Sequence, residues 1–314
     1  LRQWSCPHHP CHRRRAIDAS AATALTLARH NPNKRILIFS TDPAHSLGDS
    51  FDQSIGDSVT PIKGVANLHA IEIDAEALWA DFVKTYKSDM NSAFNKLKAK
   101  LSGGRIGGDV VFDKEVMLEM VDASPSGVDE IMALEHIIDL MNEREYDLFI
   151  LDTAPTGHML RLLKMPDLIR DWLKTIFRAL IKYQRVMPLT YLENLNKRLI
   201  KLSKGARRVL DTLINPRLCE FVAVGIPEAM SILEMEDLLS SLEGLGITCR
   251  HIVINNVIPP SECSFCSVKR EEQQRYVQQV REDKFPGHLV TEVGLFPHQI
   301  RGLDGLNKFA EAIF

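Results

Sequence analysis

The chain has 314 residues, of which 45% are hydrophobic and 25% charged, and its net charge is −3. This is the make-up of an ordinary globular protein, long enough for one large α/β domain or two smaller ones. The near-neutral charge gives no reason to expect nucleic acid, no apolar run reaches the roughly 18 residues of a membrane-spanning helix, and Leu1–Arg15 lacks the apolar stretch of a signal peptide.

In chain order, the first nineteen residues, LRQWSCPHHPCHRRRAIDA, stand apart. They hold no glycine and no apolar run; the first glycine is Gly48. Cys6, His8, His9, Cys11 and His12 are too crowded, and lack a second pair, to read as a metal cluster. Ser20–His30, rich in Ala and Leu, predicts a helix closed by Asn31-Pro-Asn. Arg35–Phe39 (RILIF) predicts a strand that runs into STDPAHSLGDSF at Ser40–Phe51. Leu68–Ile73 alternates like a strand, and Ala75–Leu101 has a long helical pattern. A Gly-rich break follows at Ser102–Gly108, then helix at Lys114–Val121.

Leu148–His158 reads LFILDTAPTGH. Four apolar residues run into Asp152 and then a turn, which suits a strand buried on both faces of a parallel sheet. An acid at the carboxyl end of such a strand sits where open α/β sheets bind ligands, and there it can hold the Mg2+ of a nucleotide. The same residues also fit a plain Asx-type turn. Downstream the chain turns helical. Leu168, Ile169, Trp172, Leu173, Ile176, Phe177, Leu180 and Ile181 form a broad apolar stripe, and Leu192 to Leu213 a heptad-like seam. Core packing accounts for either pattern taken alone. The basic residues among them, from Arg170 to Arg208, predict a solvated face.

Phe221–Gly225 (FVAVG), Ile252–Ile254 ending at Asn255, and Leu289–Gly294 predict three more strands. Cys263-Ser-Phe-Cys266, in a loop after Pro259-Pro260, supplies half of a tetrahedral zinc site or a thiol pair. The uneven cysteine usage fits a reducing, cytoplasmic location better than a disulfide scaffold.

Together, STDPAHSLGDSF and DTAPTGHMLR resemble switch I and switch II of one family. It is the arsenite-pump and tail-anchored-protein-targeting ATPases, of the deviant-Walker P-loop class, and the resemblance runs from about Ser20 to Phe314. It implies a doubly wound, mainly parallel α/β sheet in a single nucleotide-binding domain, with a helical subdomain inserted at about 82–128 and 161–214. It implies Asp49 as the carboxylate that positions the attacking water, a task that needs an oriented acceptor. By itself Asp49 also reads as a loop acid or helix cap. ATP and Mg2+ contacts are implied for Asp42, Asp152, Glu228, Asn255, Pro297 and Arg301, with His45 in the same switch I loop. Cys263 and Cys266 are implied as ligands of a zinc (Zn2+) shared between two subunits of a homodimer. Tail-anchored membrane-protein clients and a membrane receptor are the implied partners. The family's phosphate loop, GKGGVGKT, would fall on Pro10–Ile17, where PCHRRRAI stands. A frame or start artefact and a true loss of the loop both remain open. So do two other functions: energising arsenite transport, and holding clients without hydrolysis.

Overall fold

The computed structural model describes residues 17–41, 47–100, 108–143, 145–152, 156–183 and 189–314. In chain order the elements are α1 (Ile17–His30), β1 (Ile36–Ser40), α2 (Leu47–Phe51), β2 (Thr60–Pro61), β3 (Leu68–Glu72), α3 (Ala75–Lys100), α4 (Gly108–Met120), α5 (Val128–Asn142) and β4 (Leu148–Asp152). There follow α6 (Thr156–Tyr183), α7 (Glu193–Leu213), β5 (Phe221–Gly225), α8 (Ala229–Gly244), β6 (Cys249–Val257), α9 (Ser264–Gln278), β7 (Leu289–Gly294) and α10 (Gly302–Ile313). They divide into two compact units. One holds the described residues up to Ile73 with Leu140–Leu160 and Thr212–Phe314; the other holds Asp74–Asp139 and Arg161–Asp211.

The first unit is α/β. One sheet has the order β2-β3-β1-β4, with β3 and β4 both parallel to β1; the other is the parallel set β5-β6-β7. Both share one core. Ala21, Ala22, Ala24 and Leu25 of α1 pack with Ile36 and Ile38 of β1, Val253 of β6, Val293 of β7 and Phe309 of α10. The alanines let α1 lie close to its neighbours, and their burial outweighs the usual propensity argument for an Ala-rich helix. The expected burial of β4 on both faces is not met: Leu148–Leu151 are half-buried, because β4 is the edge of its sheet among the described residues. The strand expected to stop at Asn255 continues to Val257. It crosses an irregularity at which Asn256 adopts a left-handed φ of 62°.

The second unit is helical. Tyr86 of α3 donates its buried hydroxyl to the Met117 carbonyl of α4 at 3.0 Å, and the Trp172 indole of α6 donates to the Met120 carbonyl at 2.9 Å. Trp79 stands edge-on to Trp172, with ring centroids 6.1 Å apart. The apolar stripe of α6 divides by burial: Ile169, Leu173, Ile176 and Leu180 are core, whereas Leu168 and Ile181 are exposed at 49% and 57%. The seam of α7, from Leu192 to Val209, is buried throughout. Its basic residues face outward and pair with acids, as Lys197 does with Glu193 and Arg198 with Asp89.

Candidate functional site

Parallel pairing brings the strand ends of the α/β unit level. Ser40 at the end of β1 is in register with Glu72 on β3 and Asp152 on β4. All three are buried, Asp152 at 3% exposure. The Ser20 hydroxyl of α1 donates to Asp152 Oδ1 at 3.0 Å, and Ser40 lies 3.5 Å from its Oδ2. A carboxylate held by hydroxyls at a strand's carboxyl end has oxygen chemistry suited to a hard cation.

Beside this row lies α2, which carries Asp49. Gly48 is confined there: a Cβ on it would sit 2.9 Å from the Gln53 carbonyl oxygen. The Gly48 amide donates to Glu72 Oε1 at 3.0 Å. Past α2, Asp52 takes a left-handed φ of 52° and its amide returns to the Asp49 carbonyl. A 420 Å³ cavity opens here, lined by Gly48, Asp49, Asp52, Gln53, Ile55 and Arg301. Arg301, which precedes α10, stands 3.1 Å from Asp52 and 3.7 Å from Asp49. The sequence-predicted Asp49, Asp152 and Arg301 are thus all on the α/β unit, and Asp49 and Arg301 share one cavity.

Two more predicted residues lie at strand ends of the other sheet. Glu228 precedes α8 directly after β5. Asn255 is buried on β6, and its Oδ1 accepts the Asn256 amide at 2.7 Å. Pro297 is exposed in the loop between β7 and α10. Asp42 and His45 lie outside the described residues, as do residues 1–16 and the turn Thr153–Pro155. The reading of the cysteines as a loop pair holds for Cys263 and needs correction for Cys266, which is in a helix. Cys263 precedes α9 and Cys266 is buried in its first turn, because the Ser267 amide and hydroxyl close onto the Cys263 and Ser261 carbonyls. Among the described residues no three His, Cys, Asp or Glu side chains gather as a metal site, so this pair has no third ligand within the described chain.

Sequence reasoning missed Glu72, Ser20 and Ser40. Glu72 shares a strand face with Leu68 and Ala70, and it is buried as they are. The signal available was its place at a strand end level with two others.

A mainly parallel α/β sheet with acids at its carboxyl ends, and a short acid-bearing helix beside it, is an architecture that nucleotide hydrolases of the P-loop class share. The comparisons carry this to a family. Residues 17–314 match the anion-transporting ATPase family, to which the chain therefore belongs. It is 30% identical to an ATPase ASNA1 homolog of Entamoeba histolytica, over 93% of this chain and 88% of that relative. It is 33% identical to the ATPase GET3B of Arabidopsis thaliana, over 94% of this chain and 75% of that one. It is 30% identical to the ATPase GET3 of Komagataella phaffii, over 93% and 84%. By family the protein is an ATP hydrolase.

Proposed function

We propose that this ATPase captures tail-anchored membrane proteins on its helical unit and targets them to a membrane receptor, hydrolysis resetting a zinc-bridged homodimer in the cytoplasm. In this reading the helical unit is a subdomain inserted into one nucleotide-binding domain. The observation that carries the client side is exposed apolar surface: Leu168 and Ile181 on α6 and Ile200 on α7 are all more than 40% exposed. The hydrolytic side rests on the acid row. Asp152 and Asp42 would hold Mg2+, which neutralises phosphate charge in the bound nucleotide. Asp49 would accept a proton from, and orient, the attacking water. Glu228, Asn255, Pro297 and Arg301 would bind the nucleotide; an amide such as Asn255 both donates and accepts, which suits a base edge.

Two thiols fit half of a tetrahedral site, so zinc would need the same pair from a second copy. Exposed Phe265 and Val268 on α9 and Met230 and Leu233 on α8 support an apolar interface beside that pair.

Ile176 is only 1% exposed, so a charge there would break the core and say nothing about clients. Phe177 and Ile181 are the informative pair. They lie one turn apart beside the buried stripe, half-buried and exposed respectively. Phe177→Ser with Ile181→Asp should reduce co-purification of a model tail-anchored client about tenfold or more, at roughly 1.5–3 kcal/mol per large apolar side chain buried. Circular dichroism should remain that of the parent. Unimpaired capture by the folded variant would sink the client reading. Stimulation of ATP turnover by trivalent arsenic would favour arsenite transport instead.

A further inference from the structure

Glu72 is a buried carboxylate, 3% exposed, which the function described so far does not use. Burying such a group is costly unless it is hydrogen-bonded. Its partners are specific. Its Oε1 accepts the Gly48 amide at 3.0 Å, and its own backbone amide donates to the Gly56 carbonyl at 2.9 Å. One residue therefore holds both ends of the segment 48–56. That segment is tightened from within by the Gln53 amide on the Gly48 carbonyl at 3.0 Å, a closure that leaves no room for a side chain at position 48. Glu72 itself is fixed by the sheet, in register with Ser40, and the Ser40 carbonyl accepts the next amide, that of Ile73. Asp49 is the residue directly after the one that Glu72 grips.

We propose that Glu72 is a positioning residue: it staples both ends of the 48–56 segment to the end of β3 and so sets where the Asp49 carboxylate stands. This rests on the reading of Asp49 as the water-orienting acid. The strand end acts as a rigid datum, the switch segment is hung from it, and the backbone sets where Asp49 starts, beside its pairing with Arg301. A charge-assisted bond to a backbone amide suits this role, being about twice as strong as a neutral one. A displacement of about 1 Å at a catalytic group costs as much as 100-fold in rate.

Amide hydrogen exchange on the full chain tests the staple directly. Glu72→Leu, which packs but accepts nothing, should speed exchange at Gly48 and through residues 49–53 about tenfold or more, while the amides of β1 stay protected. Glu72→Gln keeps an acceptor and should give a smaller rise at the same amides, which covers the case in which the leucine variant fails to fold. Unchanged exchange at Gly48 in whichever variant folds would overturn the staple. In the full chain carrying GKGGVGKT at residues 10–17, Glu72→Gln should lower kcat for ATP about tenfold and leave KM within about twofold. Normal turnover in Glu72→Gln, with Asp49→Asn inactive, would overturn the positioning role. An active Asp49→Asn enzyme with faster Gly48 exchange in Glu72→Leu would instead remove Asp49 from the mechanism and leave the staple standing.

Discussion

Gly205, inside α7, should resist the substitution that helix propensity favours. Gly→Ala in a helix interior gains about 1 kcal/mol from backbone entropy. Here an added Cβ would lie 2.3 Å from Glu135 Cδ and 2.7 Å from its Cγ. Glu135 of α5 is buried at 7% exposure, so its side chain has little freedom to withdraw. It is also committed: Arg208 of α7 reaches Glu135 Oε1 at 3.0 Å and Asp139, one turn along α5, at 3.2 Å. Overpacking a close site costs about 1–3 kcal/mol. Displacing a buried carboxylate from Arg208 adds to that, discounted because Arg208 is partly exposed and its pairing screened. The balance is a destabilisation of about 2 kcal/mol for Gly205→Ala, opposite in sign to the propensity expectation. Urea unfolding followed by tryptophan fluorescence reads it, since Trp79 and Trp172 both lie in the helical unit. Adding Glu135→Ala should recover part of the loss, because the two positions share one volume. A Gly205→Ala protein as stable as the parent, or more so, would refute the close α5–α7 approach and the buried pair with it.

Three further outcomes follow from the site and its surroundings. Zinc should bind at one ion per two chains, and Cys266→Ser should release it and weaken the dimer; one zinc per chain by mass spectrometry, or an unchanged dimer in the variant, would refute the shared site. The chain with PCHRRRAI at residues 10–17 should bind ATP poorly by calorimetry and not hydrolyse it, whereas GKGGVGKT in that place should confer turnover that Asp49→Asn abolishes with binding largely intact. Burial, and then the Arg35 charge, lower the pKa of His69 below its usual 6.5, and its buried Nδ1 has no hydrogen-bond partner. The folded state therefore prefers neutral His69, and the stability it contributes is complete above pH 6.5 and lost as pH falls through the lower folded value. His69→Phe, which keeps the edge-on contact with Tyr146, should flatten the stability profile below pH 6.5 as measured by denaturant midpoint.

What was legible in the sequence was what local chemistry dictates. Apolar runs ending in Ser40 and Asp152 announced strand ends, and the parallel register then had to bring those ends level. The two switch segments named the family before any geometry was known. Burial was less legible, because it depends on partners distant in the chain. Ile169, Leu173, Ile176 and Leu180 are core, whereas Leu168 and Ile181 on the same stripe are not, and periodicity weights all six alike. Glu72 went unread for the complementary reason: the partner that accounts for its burial, the Gly48 amide, comes from another element. Cys266 was misplaced because Pro259-Pro260 announces a loop but does not say where the next helix begins.

The half-burial of β4 shows how sequence and structure bear on each other. Leu148–Leu151 has the composition of a central strand but the exposure of an edge, and β5, also wholly apolar up to Gly225, likewise ends its sheet among the described residues. Apolar strands at sheet edges are a liability that proteins ordinarily blunt with charge, proline or cover. Both sheets nevertheless share one core, with Leu148, Ile150 and Val224 packed against the same cluster. Edges of this composition are suited to pairing with a further apolar strand. The family resemblance expects a strand of that kind directly before the phosphate loop, so one N-terminal segment would satisfy the sheet edge and the nucleotide together. Its addition should raise the unfolding midpoint even without ATP, because strand burial and phosphate binding are separate contributions. A gain that appears only with nucleotide would show that β4 and β5 need no such partner.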